Sequence, residues 1–401
     1  MDDKLKEIVE YSYNHCEYYK NNYVENIDEE FSNIPILYKK DMQDFSEQLL
    51  SDKYDGGKRK NLRVERTSGS TGKFTKIYWN RDEFNASNLS LWRLRYKWYG
   101  ILPHSKCVTF NSVTFMGDKI HKPQKIQVLG KNILGLSKFH LDNEDLEEYC
   151  KKINEFKPEW MLVQTSILKR LTEYLKEKKL YSFKSLKYIE LNGEMTLDSE
   201  KKYFSEFYKI PIADMYGAAE VNGIAYECPY GRKHVLEDNV YLESINIDGA
   251  DTAIVTSLHN HAMPIIRYNL GDRISIKSNQ VCRCGLNTAY LDTIQGRTSD
   301  KIILSNGKYI SPYVILYCIE KINEVMYYPI LQFKIIQKEI DMVEIYLLFR
   351  KDEDVWINQT LEELKTLIKQ NCSELQVTIS QRSQINYYGT EKYKFFENKI
   401  K

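Results

Sequence analysis

The chain has 401 residues, with 57 Lys and Arg against 56 Asp and Glu, a formal net charge of +1 and no long block of either sign. That balance lacks the electrostatic signature of nucleic-acid binding or of attachment to an anionic membrane surface. The longest purely apolar run, Tyr313 to Ile319, is far short of the roughly 18 residues of a membrane span; the Met1-Asp2-Asp3-Lys4 opening has no signal-like apolar stretch, and eight scattered Cys make no disulfide scaffold, so a soluble cytoplasmic protein of two or three domains is expected.

The first informative stretch is Arg66-Thr67-Ser68-Gly69-Ser70-Thr71-Gly72-Lys73-Phe74-Thr75-Lys76. Small hydroxylated residues, two Gly and two Lys suit a loop that wraps phosphate, because Gly lets the backbone approach and N–H and hydroxyl groups donate. A flexible Ser/Gly loop is the plainer reading of the same composition. A Walker loop is excluded, since Thr67 stands where its first Gly must be and Phe74 replaces its Ser/Thr.

Further on, Trp160-Met161-Leu162-Val163 reads as a strand. The helix after it carries Ile167, Leu168, Leu171, Tyr174 and Leu175 on one stripe, with Lys169, Arg170 and Glu173 outside. The unit repeats as strand 188–191, a turn at Gly193, helix 197–208 and strand 210–215, so an α/β core with a largely parallel sheet is expected. Between 230 and 295 the texture becomes short and β-rich. The last hundred residues read β-α-β-β-α-β: strand 301–304, a helix starting near Pro312, strands 330–337 and 342–349, helix 355–371 with Leu361, Leu364, Leu367 and Ile368 on one face, and strand 377–385. That order implies a small ferredoxin-like α+β domain, 298–401, after a large core, 1–297.

Thr67-Ser68-Gly69-Ser70-Thr71-Gly72 resembles the phosphate loop of adenylate-forming enzymes, the superfamily of acyl-CoA synthetases. Asp214-Met215-Tyr216-Gly217-Ala218-Ala219-Glu220, Arg267-Tyr268-Asn269-Leu270-Gly271-Asp272 and Gly296-Arg297-Thr298-Ser299-Asp300 resemble three further motifs of that superfamily, in the same order. Ile34 to Asp41, Asn192-Gly193-Glu194, Met263 to Tyr268 and Cys282-Arg283-Cys284-Gly285 narrow the resemblance to the branch of phenylacetate–CoA ligase and capsular-polysaccharide-biosynthesis proteins.

The resemblance implies ATP-dependent activation of a carboxylate to an acyl-adenylate, followed by transfer to a thiol, most simply CoA. It implies that Ser68, Gly69, Ser70, Thr71 and Gly72 hold the β- and γ-phosphates with Lys76 in support, and that Glu220 holds Mg²⁺, a hard cation suited to carboxylate oxygen. Tyr216 is expected on adenine, Asp272 on the ribose hydroxyls and Arg297 on the ribose or phosphate side. Gly193, Glu194, Asp214, Met215 and Gly217 are expected to line the nucleotide site. A catalytic Lys is implied near the C-terminus, best matched by Lys392, with Lys394 as the other candidate. Ser299 replaces the first Asp of the hinge and Asp300 keeps the second. Loading of a carrier protein, amide formation and a nucleotide-binding homologue without turnover remain the alternatives. Trp92, Phe110, Phe115 and Met215 suggest an apolar pocket for the acid, with aryl acids preferred. The oligomeric state is left open, a homodimer included.

Cysteine gives a separate signal. Cys228 and His234 are followed by Cys282 and Cys284, and three thiolates with one imidazole can close a tetrahedral Zn²⁺ site. The spacing is not a standard finger pattern, and four buried or idle residues are the plain reading; members of the resembled branch often carry a matching set. His259 and His261 are rival ligands better read as loop residues, and Cys150 and Cys318 fall in helical apolar stripes.

Overall fold

The computed structural model describes residues 3–23, 31–67, 75–111, 125–181, 183–278, 280–350, 357–383, 385 and 393–400. They form two compact units, one from residues up to 104 with 213–295, the other from 105–212 and 296 onward. No helix among the described residues is long and apolar enough to cross a membrane.

In the first unit the strands lie in the order Val240–Ile247, Ala250–Ser257, Tyr268–Lys277, Tyr290–Arg297, Lys233–Val235, Asn222–Glu227, Ile212–Ala218. Pairing is antiparallel across the first three and again from Tyr290–Arg297 to Ile212–Ala218. The short links between Val240–Ile247 and Ala250–Ser257, between Ile212–Ala218 and Asn222–Glu227, and between Asn222–Glu227 and Lys233–Val235 permit only antiparallel neighbours. Ala253, Ile254 and Val255 are buried in succession, so the Ala250–Ser257 strand is covered on both faces. Its core also takes in Tyr19, Ile34, Leu37, Trp79, Met263 and Ile265. A separate hairpin pairs Arg63–Thr67 with Thr75–Trp79, setting Arg66 opposite Lys76 and Thr67 opposite Thr75. The residues expected to hold phosphate, Ser68 to Gly72, fall outside the described residues.

The second unit contains the parallel layer that the strand–helix alternation predicts. Ile133–Ser137, Cys107–Asn111, Trp160–Val163 and Tyr188–Asn192 run parallel in that order, with Ile126–Leu129 antiparallel at the edge. Parallel neighbours need long crossovers, and helices Asn143–Phe156 and Thr165–Glu177 serve as two of them. Ile167, Leu168, Leu171, Tyr174 and Leu175 are all buried as the stripe requires. Lys169, expected outside the stripe, is buried instead. Its ammonium is paired with the buried Glu200 of helix Asp198–Tyr208, which supplies the counter-charge that periodicity cannot reveal.

The C-terminal region is a separate small α+β body within this unit. Its sheet has the order Gln376–Gln381, Met342–Phe349, Ile330–Glu339, Phe396–Asn398, covered by helices Tyr313–Val325 and Ile357–Asn371. Leu364 and Ile368 are buried, with Leu361 and Leu367 packed beside them. The strand expected over 301–304 is not part of this sheet. It is shortened to Ile302–Ile303 and pairs with Tyr309–Ile310. The Gln337 side chain occupies the Ile303 backbone, accepting from its N–H and donating to its C=O, both at 2.8 Å. The edge is taken by Phe396–Asn398, parallel to Ile330–Glu339.

Candidate functional site

In the first unit, strand Ile212–Ala218 carries Asp214, Met215, Tyr216 and Gly217. A Cβ on Gly217 would fall 2.5 Å from the Asn222 carbonyl oxygen, so only Gly lets the strand turn tightly into Asn222–Glu227. The Tyr216 hydroxyl donates to Asp272 Oδ2 at 2.7 Å. Glu220, in the turn that follows, is buried and accepts from the Tyr268 hydroxyl at 3.1 Å. Two segments about fifty residues apart are thus tied twice, each tie joining a phenol of one to a carboxylate of the other. Asp214 is committed differently: its carboxylate is 2.6 Å from the Lys233 ammonium, and its amide donates to Glu227 at 2.9 Å.

Arg267 explains how this group is held. Its side chain is buried, and its guanidinium donates to the carbonyls of Ser32 and Ile34, the latter at 2.5 Å, and to Glu243 at 3.2 Å. Its backbone carbonyl accepts from the Leu37 amide at 3.0 Å, and the Leu37 carbonyl in turn accepts from the Asn269 amide at 2.9 Å. The 34–41 segment is thereby laid against the start of strand Tyr268–Lys277. Burial raises the Glu243 pKa, against the pull of the Arg267 charge. Gly271, at φ +72°, makes the local turn before Asp272, its amide donating to Asn269 Oδ1 at 2.7 Å.

Cys228, His234, Cys282 and Cys284 converge in the same unit, with all four ligand atoms within 4.8 Å of one another. Cys228 and Cys282 sulfurs are 3.8 Å apart, and Cys284 Sγ is 3.3 Å from His234 Nε2. A tetrahedral ion with Zn–S bonds of about 2.3 Å separates its sulfur ligands by about 3.8 Å, so the donor set fits zinc in type and span. His234 Nδ1 lies 3.2 Å from Thr288 Oγ1, which leaves Nε2 facing the sulfurs. The amides of Tyr230 and Arg232 face the Cys228 sulfur, and those of Cys284 and Leu286 face Cys282 and Cys284. Burial lowers the His234 pKa, favouring the neutral imidazole that a metal requires. His259 and His261 lie elsewhere: His259 is bonded to the Asp238 carbonyl and His261 is paired with Glu83.

Lys76 is exposed on its hairpin strand. In the second unit, Gly193 at φ +75° turns the chain from strand Tyr188–Asn192 into Glu194. The Glu194 carboxylate accepts from the Ser166 amide and hydroxyl, each at 2.9 Å, at the first turn of helix Thr165–Glu177. It also accepts from the Tyr393 amide, and burial raises its pKa. Arg297 is exposed at the end of its strand, its carbonyl accepting from the Asp300 amide at 3.2 Å. Gly296, at φ +74°, faces Tyr313 so closely that a Cβ would overlap the phenol. Lys394 is exposed, whereas Ser68, Gly69, Ser70, Thr71, Gly72 and Lys392 lie outside the described residues. Phe110, expected at the acid pocket, is spent in the core against Tyr149, and Phe115 falls outside the described residues. Cys150 and Cys318 are core, as their stripes indicate.

Lys233 and Glu243, the partners that fix Asp214 and Arg267, carry no sequence signal. Tyr268, the partner of Glu220, stands inside the Arg267–Asp272 motif, and Ser166, the partner of Glu194, is one of two residues that the sequence offers as the cap of helix Thr165–Glu177.

No family model matches the chain. Protein CapK of Staphylococcus aureus is 24% identical over 345 residues, covering 84% of this chain and 73% of that protein. A 2-hydroxyisobutyryl-CoA ligase, solved in a postadenylation state with an acyl-AMP, superposes with a TM-score of 0.77 at 15% identity, covering 98% of this chain and 88% of the other. An anthranilate-CoA ligase, AuaEII, solved with anthranoyl-AMP, gives 0.54 at 13% identity, covering 81% and 64%. The amide bond synthetase McbA of Marinactinospora thermotolerans gives 0.54 at 13%, covering 82% and 67%. The chain therefore has the fold of the adenylate-forming enzymes, which bears out the resemblance read from its motifs, and the CapK match supports the capsular-biosynthesis branch.

Proposed function

We propose that this chain, folded as an adenylate-forming enzyme, activates a carboxylic acid with ATP and passes the acyl group to a thiol, that of CoA. The observation that carries the reading is the double tie of Tyr216 to Asp272 and Glu220 to Tyr268. It brings together, in a chain of this fold, the two carboxylates and the aromatic ring that the motifs assign to the nucleotide.

The chemical difficulty is an anionic carboxylate attacking an anionic phosphate, so catalysis is charge neutralisation and alignment. Ser68 to Gly72 hold the β- and γ-phosphates, with Lys76 in support. Tyr216 stacks on adenine, and its hydroxyl orients Asp272, which accepts from the ribose hydroxyls. Gly193, Glu194, Met215 and Gly217 shape the site, Asp214 anchors its strand through Lys233, and Arg297 reaches the ribose or phosphate side. Glu220 would hold Mg²⁺, which neutralises phosphate charge when bound. Lys392, carried by a domain over 298–401 that moves between half-reactions, meets the carboxylate and α-phosphate during adenylation. Cys228, His234, Cys282 and Cys284 would hold one structural Zn²⁺. The favoured acids are aryl acids.

The test is pyrophosphate release from ATP and Mg²⁺ with a panel of aryl and aliphatic acids, followed by addition of CoA. Acid-dependent release in the wild type, lost in Lys392→Ala, and CoA-dependent thioester formation are expected. No release with any acid would leave a nucleotide-binding protein; release without transfer to CoA would redirect the second step to a carrier protein or an amine.

A further inference from the structure

Within the second unit, the C-terminal region rests on the layer formed by 160–208 through contacts that its own fold does not need. Glu320, on helix Tyr313–Val325, sends both carboxylate oxygens to Ser199: Oε1 accepts from the amide and Oε2 from the hydroxyl, each at 2.7 Å. Ser199 lies in the first turn of helix Asp198–Tyr208, where unsatisfied N–H groups and the positive end of the helix dipole favour a carboxylate. The cap thus comes from another part of the chain.

The second contact is Tyr328. Its ring stacks on Tyr203, centroids 4.7 Å apart and planes inclined by 20°. It belongs to the hydrophobic cluster of the 160–208 layer, with Leu171 and Phe204, rather than to the cluster of the C-terminal region. To reach it, Tyr327 and Tyr328 adopt φ of +58° and +63° in succession, a left-handed conformation that side chains with a Cβ disfavour. Asn323 holds this turn, accepting from the Ile330 amide at 3.0 Å and donating to the Ile330 carbonyl at 3.1 Å. Arg350 donates to the Tyr327 carbonyl at 3.0 Å. Among the described residues, the buried Tyr328 hydroxyl has no hydrogen-bond partner. Two left-handed residues and an orphaned hydroxyl are costs that a body folding only on itself has no reason to carry.

The same layer also receives the segment after the expected catalytic lysine. Tyr393, next in sequence to Lys392, donates its amide to Glu194, whose carboxylate also caps helix Thr165–Glu177. We propose that Glu320 and Tyr328 are positioning residues that hold the C-terminal region on the 160–208 layer in the arrangement used for adenylation. Neither touches the reacting atoms. The inference rests on the adenylation reading above.

The experiment uses the full chain in two arms. In the first, without nucleotide or acid, hydrogen exchange is followed in peptides over 198–208 and 313–331. Tyr328→Ala and Glu320→Ala should speed exchange at the start of helix Asp198–Tyr208 by about tenfold or more, the scale of losing a hydrogen bond to a charged group. Glu320→Gln, which keeps one acceptor oxygen, should fall between. Tyr328→Phe, which keeps the ring and removes the orphaned hydroxyl, should match or exceed the wild-type protection.

In the second arm, acid-dependent pyrophosphate release should drop about tenfold in Glu320→Ala and Tyr328→Ala, while thioester formation from a supplied acyl-adenylate stays within about twofold. Unchanged exchange in both Ala variants would overturn the docking role, as would a Tyr328→Phe defect as large as that of Tyr328→Ala. Equal losses in both half-reactions would overturn the assignment to adenylation. If Tyr328→Ala fails to fold, Glu320→Gln and Tyr328→Phe still decide. A wild type that releases no pyrophosphate with any acid would refute the catalytic reading, and the exchange arm would still judge the docking.

Discussion

Arg267 offers the sharpest test of how the candidate site is built. Its guanidinium is 6% exposed and the Glu243 carboxylate 15%, so neither can recover its lost hydration by small movements. Replacing Arg267 by Met strands Glu243 and the carbonyls of Ser32 and Ile34 together. Removing one partner of a buried pair costs about 3–5 kcal/mol. At the size of this unit that corresponds to a Tm lowered by roughly 6–20 °C. The sign of the pH dependence follows from Glu243, whose pKa burial already raises above the usual carboxylate value in the folded state. A native state that binds a proton more tightly than the unfolded chain loses stability as pH rises from the unfolded pKa through the raised folded one. Without Arg267 the folded value rises further, so the deficit of Arg267→Met should be smaller near pH 5 than near pH 8. Thermal and urea unfolding at both pH values measure it, and Arg267→Lys, keeping the charge but losing the fork, should lie between. A deficit under about 1 kcal/mol, equal at both pH values, would refute the assignment of Arg267 as the buried anchor of this segment.

Gly296→Ala should destabilise by several kcal/mol in round terms, combining overpacking against Tyr313 with an unfavourable positive φ; Tyr313→Ala should recover part of that loss in a double-mutant cycle, and additive effects would argue against the contact. Metal analysis of purified protein should find about one zinc per chain, as expected of a closed four-ligand structural site, lost in Cys282→Ser/Cys284→Ser with a lowered Tm. A zinc-free protein of full stability would leave the four residues as an unmetallated cluster. Glu220→Gln should abolish acid-dependent pyrophosphate release while the fold remains, and release at normal Mg²⁺ would remove it from the metal role. Tyr216→Phe, which keeps the ring but removes its hydrogen bond to Asp272, should weaken nucleotide binding by about tenfold, the scale of one lost hydrogen bond to a charged group.

Sequence alone determined whatever is local or motif-borne. The buried stripe of helix Thr165–Glu177 follows from a period of 3.6, and the parallel layer from strands alternating with helices of crossover length. Residue type, together with the family resemblance and not spacing, named the four residues whose donor atoms meet within 4.8 Å, and four ordered motifs pointed to the fold. Tertiary structure decided which charges are spent inside. Lys169 faces Glu200 and Asp214 faces Lys233, pairs that no periodicity connects, because burying a charge depends on a counter-charge from another element. It decided that Phe396–Asn398, and not the strand near residue 302, completes the C-terminal sheet. An edge goes to whichever segment can complete the ladder, and here Gln337 had already satisfied the Ile303 backbone. It also placed Tyr328 in a core formed by residues more than a hundred positions earlier. Local sequence favours no left-handed turn at two successive tyrosines; that conformation holds only because long-range packing outweighs the local preference.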